Sequence, residues 1–167
     1  KPHKRTYSIE LHRRPDARQV RILVLRHAES RANEASKSLQ QLHGKSDILK
    51  KAKFSTPELV DALLSEAGEA QCHEAAKKLG SKFPHLKYVL LSPMRRAVQT
   101  AMLVTEGYPN KLEFHALPHL REVLSNQADV GYHSLEFLQQ HPFVDTSMMK
   151  ADRLWFLDCY EDCPERK

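Results

Sequence analysis

Apolar residues along the chain gather into short runs set between stretches of helical periodicity. Residues 20–25, Val-Arg-Ile-Leu-Val-Leu, are mostly β-branched or aliphatic and bounded by charge, which predicts a short buried strand. "LKYVLL" at 86–91 predicts a second strand, and "KLEFHAL" at 111–117 a third, more amphipathic one. A polar, lysine-rich surface loop is expected over 43–56, followed by a helix. Ser65 suits its N-cap, Glu66 and Glu69 its positive end, and Lys77 and Lys78 lie toward the other end. Gly68, Cys72, Ala76, Leu79 and Phe83 recur at helical spacing as one buried stripe, and Pro84 stops the helix. A second helix is expected after Ser92, with Pro93 at its first position, where a missing N–H costs nothing. Strand, helix, strand, helix, strand predicts an α/β fold with a parallel sheet covered by helices. Ligands in such sheets bind beyond the carboxyl ends of the strands. The pair Arg26–His27 and the run "SPMRR" at 92–96 are therefore expected to open into one crevice.

Composition narrows the class. The 167 residues are 41% hydrophobic and 28% charged, one globular domain's worth of chain. No apolar run approaches a membrane span, and no signal-peptide segment follows the basic N-terminus. Three cysteines without disulfide spacing point to a reducing, cytoplasmic setting. Cys159 and Cys163 have no partner pair, so they read as ordinary thiols rather than half a metal site. The net charge is +5, and Lys1, Lys4, Arg5, Arg13, Arg14 and Arg18 crowd the N-terminus. With no aromatic residue among them beyond Tyr7 and no helical periodicity, residues 1–19 read as a solvated basic lead-in rather than a nucleic-acid-binding arm. The start at Lys1 reads as a processed product or a fragment.

Candidate chemistry centres on the two strand ends. Arg95 and Arg96 fall in the opening turn of a helix, where free N–H groups and guanidinium donors together suit an anion. Arg95 fits a solvated surface arginine well. Arg96 fits that description less well, being one turn before Thr100 and beside the small Ala97. His27 could serve as a metal ligand, a general base, a nucleophile or a packed side chain. No companion residues have metal-ligand spacing, so no metal and no other cofactor is expected. An imidazole between arginines suits a phosphoryl group: the nitrogen attacks phosphorus in line while guanidinium groups hold the equatorial oxygens.

These residues also carry a resemblance. "LRHAESRAN" resembles the histidine phosphatase superfamily, the phosphoglycerate mutase-like proteins, whose signature is Arg-His-Gly followed by Glu-Ser and Asn; here Ala28 replaces the glycine. "DALLSEAGEAQ" at 61–71 is similar to the family's Asp-x-x-Leu-Thr-x-x-Gly-x-x-Gln segment. "LLSPMRRAVQTA" at 90–101 is similar to its Ser-Pro-Leu-x-Arg-Ala-x-Gln-Thr-Ala motif. "LPHLRE" at 117–122 resembles the segment that ends in a proton-donating glutamate. The stretch "ADVGYHSLEFLQQHP", followed by Trp155, resembles a branch of uncertain substrate more than the glycolytic mutases.

The resemblance implies a three-layer α/β/α fold around a mostly parallel sheet, spanning 20–167 as a partial histidine phosphatase-like domain. It implies His27 as the phosphorylated residue, Glu122 as the acid, and Arg26, Asn33 and Arg96 as phosphate-binding residues. The family's second histidine, in a late Ser/Thr-His-Gly segment, has no match: His43–Gly44 comes too early, and His133 and His141 follow Glu122 too soon. The resemblance thus implies a domain incomplete at its C-terminus. The leading expectation is a phosphatase acting on a phosphorylated small molecule or a phosphoprotein. The alternatives are a catalytically silent phospho-ligand or protein-binding module on the same fold, and a mutase-type phosphotransferase. Neither substrate nor oligomeric state is written in the sequence.

Overall fold

The computed structural model describes residues 20–43, 56–124, 127–149 and 155–156. The lead-in expected over 1–19 and most of the 43–56 loop lie outside them. Three parallel strands, β1 (Tyr88–Leu91), β2 (Glu113–Ala116) and β3 (Val144–Asp145), form a sheet in the order β1-β2-β3. Leu91 pairs with Ala116 and Phe114 with Val144, so alternate residues point the same way across the sheet. Leu91, Ala116 and Val144 are buried against Val98 of helix α3 (Arg95–Thr105) and Leu138 of helix α4 (Ser134–Gln139). Tyr88 and Leu90 face the other way and are exposed.

Helix α2 (Glu66–Lys82) packs along α3 through Leu64, Cys72, Leu79 and Val104. Its beginning and end follow local chemistry. The Ser65 hydroxyl accepts from Gly68 N at 3.2 Å, a side-chain N-cap. Phe83 N donates to Leu79 O at 2.8 Å, and Pro84 cannot continue the helix. Helix α1 (Arg31–His43) is not among the elements the pattern predicts. It begins with a capping box: Ser30 N donates to Asn33 Oδ1 at 3.1 Å, and Asn33 N donates to Ser30 Oγ at 3.2 Å. The result is an α/β architecture with helices flanking a parallel sheet. Among the described residues no helix is long and apolar enough to cross a membrane.

Two expectations are corrected. Residues 20–25 are not a buried strand: the segment is irregular, and Val20, Ile22 and Val24 are 70%, 74% and 78% exposed. A strand buries its apolar side chains only where neighbours take up its N–H and C=O groups. No described strand pairs with this segment, and β1 is itself an edge. Pro93 is also not the first residue of α3. Met94 is the N-cap, with extended ψ of 135° and no side-chain cap bond of its own, and Arg95 is the first helical residue.

Candidate active site

The chain leaving β1 turns through Ser92, Pro93 and Met94 into α3, which sets Arg96 at the second helical position. The chain leaving β2 passes through a single 3-10 turn, Pro118–Leu120, to Glu122. Because β1 and β2 are adjacent and parallel, both residues emerge at the same end of the sheet. Nη2 of Arg96 lies 3.6 Å from Glu122 Oε2. His27 reaches the same place from the irregular segment before α1, close enough for Arg96, Arg26 and Glu122 all to act on its charge.

His27 is half-buried, and its Nδ1 lies 2.7 Å from Ala28 O. A carbonyl only accepts, so Nδ1 carries the hydrogen and Nε2 keeps its lone pair. Burial first, and then the Arg96 and Arg26 cations, push the imidazole below its ordinary range; the Ala28 carbonyl and Glu122 oppose them. The net effect favours the neutral ring at neutral pH, which is the nucleophilic form.

Four motif residues fix the backbone beside His27. Thr100 Oγ1 accepts from Ala28 N at 3.1 Å and donates to Arg96 O at 2.7 Å, tying the histidine loop directly to the arginine's own helix turn. Gln71 Oε1 accepts from Glu29 N at 3.2 Å, and Ser65 N donates to Glu29 O at 3.0 Å. At Gly68 an added Cβ would stand 2.0 Å from Glu29 O, so only glycine lets α2 approach this turn. The Glu29 side chain is taken up by Ser65 and Lys37. A further bridge pins the preceding segment to α3: Gln99 accepts from Leu64 N and donates to Glu69 Oε1, both at 2.9 Å.

Of the five residues singled out from sequence, His27, Arg96 and Glu122 are brought together, with Arg26 exposed at their edge. Arg96 is almost wholly enclosed: Nη1 donates to Ala128 O at 2.9 Å and Nη2 to Asp129 Oδ1 at 3.3 Å. Glu122, by contrast, keeps 57% of its side chain exposed. Asn33 has its amide oxygen turned to both the N–H and the hydroxyl of Ser30, so its first task is capping α1. The donating end of the same amide is what it can offer an anion.

Arg95 is not the solvated arginine expected. It is half-buried, with Nε donating to Asp61 O at 2.6 Å and Nη2 to Val60 O at 3.3 Å. Its partners lie 34 and 35 residues away in the chain, beyond any local reading. Asp61 stands at the head of the 61–71 motif, but its partners, like the parts played by Ala128 and Asp129, were invisible for the same reason. The cap of α1 was not read from the sequence either, although Ser30-x-x-Asn33 is a spacing that could have signalled it. Among the described residues, no group of three or more histidine, cysteine, aspartate or glutamate side chains could hold a metal ion.

A neutral imidazole nitrogen, an enclosed guanidinium and an exposed carboxylate at one sheet end suit transfer of a phosphoryl group. Compared with known proteins, residues 22–143 match the family model described as histidine phosphatase superfamily (branch 1). No curated protein and no solved structure matches the chain.

Proposed function

The chain belongs to the histidine phosphatase superfamily, and from that premise we propose that it is a phosphatase that cleaves a phosphomonoester through a phosphohistidine at His27. The observation that carries the reading is the His27 ring itself, with Nδ1 engaged at Ala28 O, the lone pair left on Nε2, and the Arg96 cation acting on the ring. Nε2 attacks phosphorus, the P–O bond to the alcohol breaks, and the leaving oxygen takes a proton from the Glu122 carboxyl. A water then attacks phosphorus, the P–N bond breaks, and the Glu122 carboxylate accepts the proton that water gives up. Arg96, Arg26 and the Asn33 amide hold the phosphoryl oxygens as charge spreads over them. The exposure of Glu122 favours transfer to water over retention of the intermediate, and so hydrolysis over a mutase reaction.

Trapping the phosphoenzyme tests this. The protein, labelled with a radioactive phosphomonoester, should carry phosphate that survives alkali and is lost in acid, and His27→Ala should carry none. A label that persists in His27→Ala overturns the assignment. Binding of inorganic phosphate without any labelled intermediate would instead identify a silent binding module.

A further inference from the structure

Asp61 is completely buried, yet the reaction just described does not use it. Its backbone is left-handed, with φ of 46°, a conformation that aspartate tolerates better than most residues but still at a cost. Its two carboxylate oxygens reach in different directions. Oδ1 accepts from Arg95 N at 2.9 Å, supplying from a distance the cap that Met94 cannot give α3. Oδ2 accepts from the Ser134 hydroxyl at 2.8 Å, at the first residue of α4.

Those two attachments lie on the two pieces of chain that enclose Arg96. One is the first turn of α3, which carries Arg96 itself. The other is the segment running into Ser134, whose Ala128 O and Asp129 grip the guanidinium. We propose that Asp61 is a positioning residue for Arg96, joining the helix that carries the arginine to the segment that aims it. Its value to catalysis rests on the phosphatase reading; the positioning itself does not.

The protonation balance of Asp61 supports a role beyond stability. Burial raises its carboxyl from 3.8 to about 6; the Ser134 hydroxyl, Arg95 N–H, and the Arg95 and Arg96 cations facing it only partly offset that. A raised acid favours the folded state when protonated, so that stabilisation is complete below the ordinary value and lost as pH rises through about 6. Asparagine would satisfy the same two partners, the amide oxygen accepting from Arg95 N and the amide nitrogen donating to Ser134 Oγ, without that loss. A carboxylate kept ionised there holds the Arg95 cation and the first turn of α3 by charge.

The test compares the full chain with Asp61→Asn and Ser134→Ala, neither of which alters a group on the phosphate. Three quantities are read: solvent exchange of the Arg96 guanidinium protons by NMR, affinity for inorganic phosphate by calorimetry, and melting temperature at pH 7.5 and pH 4. Ser134→Ala, which removes one attachment, should speed Arg96 exchange and weaken phosphate binding, each by about tenfold, the scale of one hydrogen bond to a charged group. Asp61→Asn, which keeps both hydrogen bonds and loses only the charge, should do the same to a smaller extent. Asp61→Asn should melt no lower than wild type at pH 7.5, with any advantage gone by pH 4. Unchanged Arg96 exchange in both variants overturns the proposal, as does a phosphate deficit that merely tracks the fraction unfolded. If the wild type binds no phosphate while the variants still free Arg96, the phosphatase reading fails and the positioning role stands.

Discussion

At Arg95 and Arg96 the same side chain meets two environments one residue apart. The Arg95 guanidinium is spent on backbone oxygens of Val60 and Asp61, holding a loop to the start of α3. The Arg96 guanidinium is enclosed beside His27, where Ala128 and Asp129 orient it and Glu122 lies at its edge. Their substitutions should therefore fail differently. Arg96→Ala should cost about 2–4 kcal/mol of transition-state stabilisation, the scale for losing a preorganised donor. Arg95→Ala should instead lower unfolding free energy by about 1–3 kcal/mol through its unpaired carbonyls, with turnover per folded molecule nearly kept. Urea unfolding and hydrolysis of p-nitrophenyl phosphate by both variants separate the two effects. Equal catalytic losses would mean that both arginines hold the phosphate.

Among elements, α2 governs the histidine loop without contributing to the chemistry. Its N-cap Ser65, its Gly68 and its Gln71 all meet Glu29, two residues beyond His27. The glycine is the stringent position, because a methyl group would overlap Glu29 O and only a shift of the whole helix or the whole turn relieves it. Gly68→Ala should destabilise the protein by about 1–3 kcal/mol, the cost of overpacking a close contact. It should also slow phosphoenzyme formation, since the displaced turn carries His27. Calorimetric melting and the labelling rate check both parts, and an unchanged melting temperature would mean that α2 and the turn are not in contact. The N-cap and the stop of α2 were legible from sequence because Ser65 and Pro84 act on their own neighbours. What α2 packs against was not, since the 28–30 turn lies 36 residues upstream of its cap.

Across the molecule, the single tryptophan packs behind the start of the helix that carries Arg96. Trp155 is buried with Met94, the N-cap of α3, and with Phe156; Val130 and Leu124 pack onto the same cluster. Its Nε1 donates to Gly131 O at 3.1 Å, and a Cβ on that glycine would lie 2.3 Å from the indole. One side chain thus packs against Val130 and Gly131, the residues that directly follow Ala128 and Asp129, which hold Arg96. Trp155→Ala should cost about 3–5 kcal/mol, the range for removing a buried aromatic ring. Phosphate affinity should fall as well, because the segment that orients Arg96 loses its backing. Chemical denaturation and phosphate calorimetry at a temperature where the variant is folded measure the two; intact affinity in the folded variant would confine Trp155 to stability.

Elements defined by neighbours in the chain could be read without coordinates. The helix over 66–82 and the parallel alternation of strand and helix follow from periodicity, capping and connection rules with a reach of a few residues. Periodicity failed at 20–25, where an apolar run reads as a buried strand although burial depends on a partner strand that no local pattern supplies. The same limit hid the partners of Asp61 and the second face of Arg95. A capping carboxylate borrowed from 34 residues away leaves no mark on the helix it caps. Local free-energy terms act along the chain and leave spacings behind. Enclosure of a guanidinium and desolvation of a carboxylate depend on segments meeting in space, and they exist only once the chain has folded.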